Sequence, residues 1–395
     1  MADEARKAAR PRRGIVITLI AVGSVVGVLA ILSIWVARQV LETDTWVDTS
    51  SQLLEQEDIR TPVAGFIADA LFQNVDVQAE LQKSLPPQAK GLAGPAAGAF
   101  RQLTETAADR ALQRPRIQQL WEDANRVAHQ TFVNVVENKS NAVSHQGDVV
   151  TLDLTPILQQ LGSQVGIDVS KKLPPDAGKI EIVGKGNLTT LEDVFNLLRV
   201  LAIGLTALAL LLYGIAIYLA RGWRREALRA VGFGFIISGL AVVIVRSIAK
   251  GPLVDSLAST ASAQDAARTT LDIYTSLLVA SAWSVVAYGV IILAGAWAAG
   301  PGETARSVRR DLAGILHDRT VAYPVLGVLL LLVFWWNPGP GTARLLSSLI
   351  LVALAVAGME ALRHQAIRDY PDETMQSTGD RWRERLRRKP RKASS

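Results

Sequence analysis

The sequence predicts an all-α transmembrane bundle of six helices, with a mostly helical (α+β) extracytoplasmic domain inserted between helices 1 and 2. Three observations predict it. Val200 to Ala220 is a run of 21 uncharged residues, bounded by Arg199 and by Arg221, Arg224, Arg225 and Arg229. An α-helix needs about 20 apolar residues to cross roughly 30 Å of hydrocarbon. Residues 38–199 are the only polar stretch large enough to be a domain, and they carry 15 Lys/Arg against 21 Asp/Glu, a net of −6. Elsewhere the apolar residues, 49% of the chain, are clumped in long uncharged runs, which is the membrane signature.

In chain order, residues 1–13 are basic, with Arg6, Lys7, Arg10, Arg12 and Arg13. Residues 14–37 follow as 24 uncharged residues. A signal-peptide core is only about 7–15 residues long and ends in a small-residue cleavage site. This run is longer and ends Trp35-Val36-Ala37-Arg38, so it reads as an uncleaved first span. Gly23 and Gly27 within it could let another helix approach closely. In the domain at 38–199, Thr61-Pro62 reads as an N-cap and first helical residue. Pro86-Pro87 breaks the chain, a second helix runs from Pro95 to about Leu112, and Pro115 opens a third that ends near Asn138. Its apolar positions Ile117, Leu120, Trp121, Val127, Ala128, Phe132, Val135 and Val136 fall mostly at steps of three and four, as one buried stripe requires. Val149 to Leu154 and Lys179 to Val183 alternate like strands. Thr155-Pro156 starts a short helix between them, so a small β-α-β element is expected.

Further spans are predicted at 200–220, 230–249, 273–299, 320–336 and 345–362, with residues 363–395 a basic, disordered tail. The predicted connections include a loop over 221–229, a polar loop over 250–272, and an aromatic belt at Trp335-Trp336 running into a Pro/Gly turn. The segments on the amino-terminal side of these spans hold 5, 4, 4 and 10 Lys/Arg, and the short loops on the other side hold 3 and 1. Positive residues stay on the cytoplasmic side. Both termini are therefore expected inside a plasma (inner) membrane, and residues 38–199 outside it.

Signatures of chemistry are sparse. Cysteine is absent, so no disulfide framework and no Cys-ligated metal is available. Gly184-Lys185-Gly186-Asn187 lacks the spacing of a phosphate loop, and neither Gly-x-Ser-x-Gly nor His-Glu-x-x-His occurs. His129 and His145 are not helically paired, and His317 and His364 fall on the other side of the membrane, so no metal and no cofactor is expected. No Asp or Glu sits near the middle of a span, where proton-coupled carriers keep one. Thr206, Tyr213, Ser238, Ser281 and Ser284 are explained by hydrogen bonds between helices. Asn138-Lys139-Ser140 and Asn187-Leu188-Thr189 match the glycosylation pattern by chance.

The candidate binding residues are Trp121, Asn125, His129 and Asp153. The first three lie at i, i+4 and i+8, stacked on one helix face. An indole, an amide and an imidazole in a row can bind a ligand or meet Asp153 across the domain. They can equally form a buried hydrogen-bonded seam against the β-α-β element, since buried polar groups must be paired. Phe132 and Leu120 in the same stripe favour the seam. The basic tail suits anionic lipid headgroups better than nucleic acid, because it follows a membrane exit and no folded basic domain accompanies it.

PRIQQLWEDANRVAH (115–129), VTLDLTPILQQLG (150–162) and LARGWRREALR (219–229) resemble a family of uncharacterised actinobacterial multi-pass membrane proteins. That resemblance implies a layout and no known activity. The same layout, one span, a large outer domain and then five spans, is similar in topology to one half of a resistance-nodulation-division transporter, but the span at 273–299 lacks the acidic residues such pumps use. The expectation is therefore a non-catalytic accessory or scaffold protein of the cell envelope. It would act through its outer domain on another membrane or envelope protein, or on membrane lipid. The alternative is a lipid or small-solute transporter. An enzyme would require Asn125, His129 and Asp153 to converge in a cleft. Nothing in the sequence assigns an oligomeric state.

Overall fold

The computed structural model describes residues 2–74, 77–84, 86–137, 143–146, 149–153, 179–336 and 345–371. The helices are α1 (Ala2–Leu41), α2 (Thr43–Glu55), α3 (Glu57–Asn74), α4 (Val77–Ser84), α5 (Ala93–Leu112), α6 (Pro115–Val136), α7 (Lys185–Leu219), α8 (Arg224–Leu257), α9 (Ala261–Ala298), α10 (Glu303–His317), α11 (Arg319–Trp336) and α12 (Leu345–Asp369). Four helical stretches are long and apolar enough to cross a membrane: Arg13–Leu41, Thr190–Leu219, Arg224–Leu257 and Ala261–Ala298. The α10–α11 pair adds a fifth if its two helices, bent by 110°, count as one span. The chain is a multi-pass membrane protein, as its uncharged runs predict. It divides into two compact units, one of Met1–Leu32, Ile203–Val245 and Leu277–Ser395, the other of Ser33–Ala202 and Arg246–Ser276.

In the first unit, helices pack through small residues. A Cβ added at Gly23 would meet the Tyr213 ring at 3.1 Å, and one at Gly27 would meet Ser238 Oγ at 3.2 Å. The close approach expected of these two glycines is thus made by α7 and α8. Ser24 Oγ and Tyr213 OH are 3.1 Å apart, and Ser238 Oγ donates to Ser24 O at 2.9 Å. Tyr213 and Ser238 therefore tie helices together as predicted, and Ser284 Oγ donates to Ala280 O at 2.8 Å. Gly232 and Gly289 bring α8 and α9 into backbone contact, for a Cβ at Gly289 would lie 2.7 Å from Gly232 O.

Between the predicted fourth and fifth spans lies a further helix, α10. Ala305, Arg309, Ala313 and Leu316 recur at helical spacing and are buried, which gives α10 one covered face. Asp318 then caps α11, accepting from Thr320 N at 2.9 Å and Thr320 Oγ1 at 2.6 Å. The last helix also exceeds its predicted end, running past residue 362 to Asp369. Residues 363–369 are therefore helical rather than part of a disordered tail. Arg363 holds that extension by donating from Nε to Leu316 O at 2.9 Å, at the end of α10. Residues 337–344 and 372–395 lie outside the described residues.

The second unit contains the predicted outer domain. Leu54, Ala64 and Leu112 form a core from α2, α3 and α5, with Val63, Ala108 and Ile117 packed on it. The α3 and α5 helices run antiparallel, linked by Arg60 Nε to Asp109 at 2.7 Å and Arg101 Nη2 to Asp69 at 2.6 Å. The sequence places the start of α3 at Thr61-Pro62. It begins four residues earlier, at Glu57, with Pro62 inside. Gln56 O accepts from Ile59 N and Arg60 N, so the first turn closes before the proline. The acidic pair Glu57 and Asp58 suits that end of the helix.

The expected β-α-β element is different in its pairing. Val149–Asp153 and Lys179–Gly184 are strands, but they are direct antiparallel neighbours, and an unpredicted strand, Val143–Gln146, pairs antiparallel with the first. The helix predicted at Thr155-Pro156 lies outside the described residues. The predicted polar loop at 250–272 is mostly helix. It is the end of α8 and the start of α9, meeting near Thr260, whose Oγ1 accepts from Ala263 N at 3.4 Å. The alanine-rich stretch after Thr260 favours helix more than its polarity favours a loop. These ends belong to the second unit, where Trp35 Nε1 and Gln39 Nε2 donate to Tyr274 O at 2.9 and 3.0 Å, and Thr269 Oγ1 donates to Asp58 Oδ2 at 3.1 Å.

Candidate functional site

The predicted row of polar residues lies on α6, which Pro115 starts at its first position. Its face meets α2, antiparallel to it. Trp121 Nε1 donates to Ser50 O at 3.2 Å. Two turns on, His129 is 6% exposed, its Nδ1 lies 3.1 Å from Thr43 Oγ1, and its ring stacks on Trp46 at 5.1 Å between centroids. Burial pushes the imidazole below its ordinary pKa, with a backbone hydrogen bond to Val40 acting weakly the other way. Between them Asn125 is half-buried and turned back on its own helix, Nδ2 donating to Trp121 O at 2.9 Å.

Two of the four candidates thus share a seam, and the seam runs along α2. The sequence places it against the β-α-β element. The amphipathic period of α2, which buries Val47, Ser50 and Leu54, is the signal that points to it. Asp153 ends its strand opposite Lys179 in register, and its side chain lies outside the described residues. Among the described residues no carboxylate is bonded to His129, and the ring is held by Thr43 Oγ1 and the backbone hydrogen bond to Val40. What the arrangement does is fix the register of α6 on α2. Phe132 continues the same face and meets Phe195 of α7 edge to face at 5.9 Å, and Arg199 pairs with Glu137 beside it.

Other residues of this unit have the character of a contact surface. Ala64 and Ala68 of α3 are buried, and Phe66 between them points outward, 73% exposed. On α5, Leu112 faces the core while Phe100 and Leu103, at i and i+3, are 53% and 66% exposed. A phenyl ring or leucine left uncovered on a helix that has a core elsewhere is unusual when the feature recurs on neighbouring helices. The signal for these positions was present in the sequence, since Phe100 and Leu103 are out of phase with the stripe that ends at Leu112. Compared with protein-family models, with curated proteins and with solved structures, the chain matches none. The likeness carried by 115–129, 150–162 and 219–229 therefore rests on those residues alone.

Proposed function

We propose that this protein is a non-catalytic accessory or scaffold protein of the cell envelope, working through the unit that contains residues 38–199. One observation carries the reading. Phe66, Phe100 and Leu103 stand exposed on helices whose other faces already have a core. Aromatic and leucine side chains of this kind are what a partner's surface covers, and a few such anchors dominate an interface. In this reading the chain has six spans, α12 being the sixth, and sits in the plasma membrane with both termini inside. The outer domain is helical with its small sheet. The close glycine crossings of α1, α7, α8 and α9 suit an anchor more than a carrier that must open a path.

The test is cross-linking in the native cells. A photoreactive residue at Phe100 or Leu103 of the full chain is expected to trap one recurrent membrane or envelope protein. The same group at exposed Arg114 is not. Leu103→Asp is expected to abolish co-purification of that partner without changing the melting temperature. A tightly held lipid with no protein cross-linked from either position would end the scaffold reading and favour lipid handling.

A further inference from the structure

The turn between α7 and α8, residues 220–223, gathers cations on a rigid base. Gly222 takes φ +91°, open to glycine and strained for other residues, and it lets the chain reverse at once. Trp223 packs on the core of Val16, Ile20, Tyr213, Ala216, Ala220, Ala227 and Val231. Over that ring lies Arg13, with Cζ 5.3 Å from the centroid, and Arg221 stacks likewise on Tyr218. Arg224, Arg225 and Arg229 follow on the first turns of α8. Among the described residues these five arginines form one ion pair, Arg13 with Glu226 at 3.8 Å, with both side chains exposed.

Arg225 is the residue that asks for a ligand. Its Nε is buried and has no hydrogen-bond partner among the described residues. Its guanidinium lies beside Gly300, where an added Cβ would sit 3.6 Å from Cζ and Nη1. A buried guanidinium N–H left unpaired is costly, and the planar fork of the group matches an oxygen pair of a phosphate. Arg229 is one turn further along the same face, and the aromatic residues mark the level where headgroups meet hydrocarbon.

We propose that this turn is a binding site for a phosphate anion carried by a lipid headgroup, with Arg225 making the directed contact and Arg224 and Arg229 adding charge. Basic residues that merely set topology need only their charge. A site that grips phosphate needs the guanidinium. Native mass spectrometry of the full chain in mild detergent, loaded with phosphatidylglycerol or phosphatidylcholine, separates the two. The wild type is expected to retain phosphatidylglycerol selectively. Arg225→Gln should retain it roughly five- to tenfold less, the loss of one or two basic contacts at a membrane surface. Arg225→Lys, which keeps the charge, should fall between them. Thermal unfolding with and without millimolar inorganic phosphate is the second arm. If phosphate stabilises the wild type but not Arg225→Gln while lipid retention is equal, the phosphate site stands and its ligand is the free ion. Equal lipid retention and equal phosphate response in wild type and Arg225→Gln would overturn the proposal. Should Arg225→Gln fail to fold, the Arg224→Gln/Arg229→Gln pair is read in the same way.

Discussion

His129 shows how one buried side chain ties stability to pH. Its imidazole is held neutral between Thr43 and Trp46, and burial sets its pKa below the ordinary value. The sign of the consequence follows. A histidine whose folded pKa is lowered contributes stability that is present above about pH 6.5 and is lost as pH falls through the folded value. Thermal unfolding of the purified chain, followed by tryptophan fluorescence between about pH 5 and about pH 8, should show a transition that weakens on the acid side. His129→Gln should be less stable at neutral pH by about 1–2 kcal/mol and respond less to acid. A stronger acid response in that variant would mean that another group governs the domain.

The glycines are legible in energy at the same scale. A Cβ at Gly239 would lie 2.5 Å from Ala282 O and 2.7 Å from Val286 Cγ2, whereas at Gly204 and Gly214 nothing lies within 4 Å. Gly239→Ala should therefore cost about 1–3 kcal/mol through overpacking. Gly204→Ala and Gly214→Ala should be neutral or stabilising by up to about 1 kcal/mol, as expected for glycine replaced inside a helix. Melting of the three variants in one detergent decides it, and equal melting of all three would mean that α8 and α9 do not approach as described.

At the scale of elements, the ends of α9 and α12 are locked to the middle of α10 by one cation. Arg309 is 3% exposed and donates to Ala298 O, to Gly300 O at 2.7 Å and to Asp369 at 3.1 Å. The orphan carbonyls at the end of α9 are thus satisfied by a side chain from the next helix. Arg309→Ala leaves those carbonyls and Asp369 without it and should destabilise by about 2–3 kcal/mol, less than a wholly buried pair because Asp369 is partly in water. Limited trypsin digestion should then cut at Arg306 and Arg310 faster than in the wild type. Unchanged digestion would show that α10 stays folded on other contacts. None of this latch could be read beforehand. Residues 300–319 hold four arginines, and which of them is buried depends on where α12 lies.

For the whole molecule, topology is the property most open to test. The chain has no cysteine, so single-cysteine variants need no background to be removed. Arg114→Cys and Ser259→Cys, at exposed positions, should react with a membrane-impermeant maleimide in intact cells, and Ser307→Cys only after lysis. Labelling of Ser307→Cys in intact cells would reverse the orientation drawn from the arginine count.

The long uncharged runs determined by themselves that the chain crosses a membrane several times, because about 20 apolar residues have no cheaper place to go. The proline that begins α6 and the break at Pro86-Pro87 were equally legible, since proline constrains its backbone locally. Tertiary structure alone decided which partner each face meets. His129 and Trp121 turned to α2, Pro62 stayed inside a helix, and the predicted loops at 221–229 and 250–272 became mostly helix ends. Local residue preferences differ by at most about 1 kcal/mol per residue outside proline. Burial of a side chain or pairing of a buried cation outweighs that difference, and both depend on residues far away in the chain.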